Sequence, residues 1–112
     1  MKRVILIIAL LAATLPAFAS HQVALSWTQT IDPVALNCVF RSATSGGENP
    51  SNPLFCSTNP IIAYTDTTVA AGATWYYTVD AVSSSGAASA MSNEVKTVIP
   101  LLPPTGLQAT AQ

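Results

Sequence analysis

Residues 72–82 read Gly-Ala-Thr-Trp-Tyr-Tyr-Thr-Val-Asp-Ala-Val. Aromatic and β-branched side chains dominate from Trp75 onward, and these are the shapes that fit a pleated, half-buried surface. A period of two places Trp75, Tyr77, Val79 and Ala81 on one face and Tyr76, Thr78 and Asp80 on the other. Gly72 is suited to a positive φ at the corner before the strand. That corner runs back to Asp66, which reads as a turn residue, and carries Val69 as its apolar plug. This is the strongest strand signal in the chain, and it sets an all-β class.

Weaker strands surround it. Val23, Leu25 and Trp27 alternate with Ala24, Ser26 and Thr28, the pattern of a half-buried strand. Residues 37–41 form a second strand, with Val39 inward and Phe40 outward. Residues 54–57 and 61–64 form two short strands, and residues 93–99 a last one. Residues 42–53 contain Gly46-Gly47, Asn49-Pro50 and Asn52-Pro53, which make this stretch a long loop. No segment beyond residue 19 sustains a 3.6-residue apolar period. Short strands spaced by turn signals indicate a sandwich or barrel.

The 112-residue chain opens with Lys2 and Arg3, an apolar run over residues 4–15, and Ala-Phe-Ala at 17–19. This is the pattern of a secretory signal peptide over residues 1–19. Residues 20–112 then hold Arg41 and Lys96 against five carboxylates. Such a surface offers nothing to neutralise phosphates, so nucleic acid is excluded as a partner, as is stable membrane insertion after cleavage. The expected location is secreted, periplasmic or extracellular. Cys38 and Cys56 make an even pair in an oxidising compartment, which favours a disulfide over two free thiols. Zinc is a poor rival, because the only histidine is His21 and a structural site takes four ligands.

The ordered set of motifs resembles the fibronectin type III domain in its bacterial form. The matching residues are Val23-x-Leu25-x-Trp27, Val39-Phe40-Arg41, Thr44-Ser45-Gly46-Gly47 and Tyr64-Thr65-Asp66. They continue through Gly72-x-x-Trp75-x-Tyr77-x-Val79-x-Ala81-Val82, Gly86 and Ser92-Asn93-Glu94-Val95. The resemblance implies an immunoglobulin-like Greek-key sandwich over residues 20–99. Its core would be Val23, Leu25, Trp27, Val39, Val69, Trp75, Tyr77, Val79 and Ala81. Two positions depart from the family pattern: Trp75 stands where a corner tyrosine is usual, and Asn37 where an inward aromatic is usual. By strand parity, Cys38 and Cys56 fall on the outer side of adjacent strands, where a disulfide would tie down the loop at 42–53.

The family's first strand is missing at the front, and something like it stands at the back. Residues 100–112 form a proline-rich linker and a tail whose Thr-Gly-Leu-Gln-Ala-Thr-Ala, at 105–111, resembles that strand. Three readings of the tail are open: the stub of a further module, a strand paired within its own chain, or a strand exchanged with another copy.

The sequence carries no nucleophile elbow, zinc-protease helix or phosphate loop. The expectation is therefore no enzyme and no cofactor or metal. The resemblance implies a secreted interaction, adhesion or spacer module, whose partner would be a protein or glycan. The alternatives are a structural subunit that self-associates through its tail, or a fragment of a tandem-module protein. Phe40, Tyr76 and Asp80, on the outward faces of neighbouring strands, form the candidate binding surface.

Overall fold

The computed structural model describes residues 21–30 and 32–112, so the signal-peptide assignment to residues 1–19 lies outside the described residues. Six strands form in chain order: β1 (Val23–Ser26), β2 (Leu36–Ser42), β3 (Phe55–Cys56), β4 (Ala63–Asp66), β5 (Thr74–Val82) and β6 (Val95–Val98). All pairings are antiparallel. β1 pairs with β4 in one sheet, and the other runs β3-β2-β5-β6. The described residues contain no helix, and so none long and apolar enough to cross a membrane.

The two sheets face each other as in a β-sandwich. The register sets Val39 opposite Val79 and Arg41 opposite Tyr77 across β2 and β5. Val39, Tyr77 and Val69 are buried, as expected. At one side Phe55 of β3 stacks on Tyr64 of β4, ring centroids 4.4 Å apart, and closes the gap between the sheets. Gly72 takes φ +81° at the corner before β5.

Three expectations need correction. β4 begins two residues later than residues 61–64 indicated, and its last residue, Asp66, is a fully buried strand residue rather than a turn residue. Val23, Leu25, Trp27, Trp75, Val79 and Ala81 are only half-buried, because among the described residues β1 has a partner on one edge alone and the inner face of β5 beside it is partly uncovered.

Phe40 and Asp80 are not an exposed surface: they retain only 2% and 9% of their accessible area, and Tyr76 is half-buried. Phe40 does face outward, but the outer face is roofed. The Ser45 hydroxyl and the Gly46 N–H both donate to Glu94, at 2.6 and 2.7 Å. β5 lies between β2 and β6, so the loop that follows β2 crosses it on the outer side to reach Glu94. Thr78 also donates to the Met91 sulfur at 3.3 Å on that side.

Cys38 and Cys56 are joined as a disulfide between register partners on β2 and β3. The bridge closes a loop with a sequence separation of 18, which in the chain-entropy model limits the unfolded ensemble. A Cys38→Ser, Cys56→Ser double variant is expected to lose about 2 kcal/mol, below the full entropic value because β2–β3 hydrogen bonds persist without the bridge. Urea unfolding of both proteins measures this, and equal midpoints would show that the bridge adds nothing.

Candidate functional site

A cleft runs along the edge of β1 that carries no strand among the described residues. One part, of about 150 Å³, is lined by Trp27, Gln29, Asn37, Val79, Ala81 and Ser92 among others. A second part, of about 90 Å³, adds Leu25, Tyr77, Asn93 and Val95. Both parts share Trp27, Val79 and Ser92, so they form one groove between β1 and the β5–β6 side of the opposite sheet. Its walls are mostly apolar. The Trp27 indole nitrogen is buried there with no hydrogen-bond partner, which leaves a donor available in a desolvated setting. Val95 sits opposite buried Tyr77 in the register, yet is 44% exposed. Among the described residues, the sheet that should cover it ends at β1.

The far end of the cleft is closed by an amide clasp. Asn37 and Gln29 bond reciprocally through their side chains, at 2.9 and 3.2 Å. Asn37 also accepts from the Ile61 N–H at 3.0 Å and donates to the Asp80 carbonyl at 3.1 Å. Asn37 thus stays inward at the position where the family resemblance implies an aromatic, and all its polar capacity is used.

At the other pole a charged cluster lies between the sheets. Asp66 accepts from the Tyr77 hydroxyl (2.7 Å), the Thr68 hydroxyl (2.6 Å), the Thr68 N–H (3.0 Å) and Arg41 (2.9 Å). The Arg41 guanidinium lies 3.9 Å from the centre of the Trp75 ring, a stacking arrangement that favours a cation. Burial pushes the Asp66 carboxyl up, but the bonds from Thr68, Tyr77 and Arg41 outweigh it and hold the pKa at about 2. Burial, and then the bond to anionic Asp66, push the Tyr77 phenol well above its ordinary range. Trp75, which stands where the family resemblance implies a corner tyrosine, is the platform under this cation.

Two other carboxyl groups meet that sequence spacing did not bring together. Burial and the neighbouring Glu94 push Glu48 up, against a backbone hydrogen bond that lowers it. Glu94 is held below its ordinary range by the Ser45 hydroxyl and the Gly46 N–H. Among the described residues no group of three or more His, Cys, Asp or Glu side chains converges as metal ligands do. His21 is half-buried at the start of the described chain, and Asp32 is exposed.

No protein-family model matches the chain, and no curated protein sequence does. Among solved structures, the chain is similar to the pectate lyase PelI from Erwinia chrysanthemi, determined in complex with tetragalacturonic acid. The TM-score is 0.57 and the identity 28%, over 68% of this chain and 24% of that one. The chain thus spans about a quarter of that enzyme's length. This likeness overturns the expectation, drawn from missing motifs, that the protein is not an enzyme: its fold recurs within one.

Proposed function

We propose that the chain is a fibronectin type III-type module that belongs with polysaccharide-acting enzymes and works outside the cytoplasm, in contact with a protein or glycan. The observation that carries this reading is the similarity to one quarter of a pectate lyase, at 28% identity. The strand order supports the family: β4 returns to pair with β1 while β5 and β6 join β2, as a Greek-key path requires. The disulfide supports an exported location, since such bridges persist in oxidising compartments.

Charge narrows the partner. Residues 20–112 carry five carboxylates against Arg41 and Lys96, and Arg41 is already paired with Asp66. A polyuronate is itself anionic, so charge complementarity is absent. The contact surface therefore suits an uncharged glycan or a protein better than a pectate chain.

The test is to mix the protein with insoluble pectin-containing cell-wall polysaccharide and, separately, with soluble polygalacturonate. Sedimentation measures retention, and ultraviolet absorbance measures unsaturated product. Retention in the pellet with the insoluble wall polysaccharide is the expected result. A protein left wholly in the supernatant with no product formed overturns the polysaccharide assignment.

A further inference from the structure

Two halves of a strand pairing exist in this chain and do not meet. The acceptor half is the cleft. β1 bonds to β4 along one edge, and its other edge carries no strand among the described residues. Beside that edge lie half-exposed Leu25 and Trp27, the unpartnered indole nitrogen of Trp27, and the inward-facing but exposed Val95. An uncovered edge with apolar ground beneath it is a template for strand addition.

The donor half is the tail. In an extended conformation, Leu107, Ala109 and Ala111 fall on one face and Gln108 and Thr110 on the other. Leu107 is 96% exposed, and no residue of 100–112 belongs to a strand. Among the described residues, an amphipathic strand with nothing beneath its apolar face matches a cleft with nothing above it.

Tether length selects the copy. β6 ends at the pole where β1 begins, because Val98 pairs with Thr74 at the start of β5, while Asp66, eight positions earlier, pairs with Val23. A strand antiparallel to β1 must enter at the opposite pole, beside Trp27. Ile99 is the last residue bonded to β5, at the level of Ala73, whereas Trp27 lies beside Val79 and Ala81, about 20–26 Å further along. Residues 100–106 must cover that distance and then reverse direction before Leu107, yet reach only about 23 Å fully extended. The chain's own tail falls short, and a neighbour's tail has no such limit.

We propose that residues 105–111 of one copy add, antiparallel, to the open edge of β1 in a second copy. Leu107 then lies opposite Trp27, Ala109 opposite Leu25 and Ala111 opposite Val23. Each copy has one donor and one acceptor, so the assembly is a closed ring of two or more copies or an open chain. This inference is independent of the polysaccharide reading, since cleft and tail pair whether or not a glycan binds.

Light scattering across a concentration series tests it on the unsubstituted protein, on Leu107→Asp and on a form lacking residues 105–112. The unsubstituted protein is expected to rise from one copy to two or more. Leu107→Asp is expected to raise the dissociation constant at least ~10-fold with an unchanged circular dichroism spectrum, since Leu107 packs on nothing within its own chain. For contact, one tagged copy carries Ser26→Cys and a differently tagged copy Gln108→Cys; oxidation of the mixture is expected to link them. A single-copy mass at every concentration overturns the proposal. So does association that ignores Leu107→Asp, or a link that forms only when one chain carries both cysteines, which would place the tail on its own β1.

Discussion

Asp66→Ala is expected to unfold about 4 kcal/mol more easily than the unsubstituted protein, the range measured when one partner of a buried ion pair is removed. The carboxylate is wholly buried and takes four hydrogen bonds. Without it, the Arg41 cation on the Trp75 ring loses its counter-charge, and the buried Tyr77 hydroxyl loses its acceptor. Asp66→Asn keeps the shape but not the charge and is expected to fall between the two. Acid separates this mechanism from simple loss of volume. The folded pKa of Asp66 is about 2 against an ordinary 3.8, so its contribution is fully present above the unfolded value and is lost as pH falls from about 4 towards 2. That window is worth about 2 kcal/mol. Asp80 works in the opposite sense: burial raises its pKa, so protonation on acidification relieves a cost. Urea unfolding at several pH values should show the Asp66→Ala and unsubstituted curves converging below pH 4. Parallel curves would mean that the carboxylate is not held as the anion.

Alternation within strands was legible because period two is a local property. Residues 23–27 and 75–82 show it plainly, and β1 and β5 form there. β4 was misplaced because Ile61-Ile62 looks like the start of an apolar strand, whereas Ile62 is 60% exposed and the inward residues are Tyr64 and Asp66. An inward aspartate is readable only once Arg41, Thr68 and Tyr77 are known to converge on it. The Phe40 error has a different origin. Its parity was right, but parity cannot say whether a polar loop will fold across the outer face, and the Ser45–Glu94 contact that draws the loop over spans 49 positions. The cysteine pair was legible from compartment and count, which need no geometry. The enzyme relationship was not, because motif searches look for catalytic residues within the chain, and the likeness lies in a fold spanning a quarter of a larger protein.

Asn37→Leu should cost about 3 kcal/mol, which sets a polar residue above an apolar one of similar volume inside a sandwich. Leucine fills the same space, so no cavity term enters; the loss is in hydrogen bonding. The Ile61 N–H and the Asp80 carbonyl both bond the Asn37 side chain. The Asp80 carbonyl keeps its place in the ladder opposite Cys38, but the Ile61 N–H cannot turn towards water, and a buried group left unpaired costs about 1–3 kcal/mol. Gln29, which shares the reciprocal amide pair, is half-buried at the cleft rim and can rotate out. Gln29→Ala is therefore expected to cost only about 1 kcal/mol. The double variant should cost less than the sum of the two, by about 1 kcal/mol, because the second substitution removes a bond already lost. Urea midpoints with unchanged m-values measure all three. If Asn37→Leu proves as stable as the parent, the clasp is dispensable, and the end of the cleft is closed by packing alone.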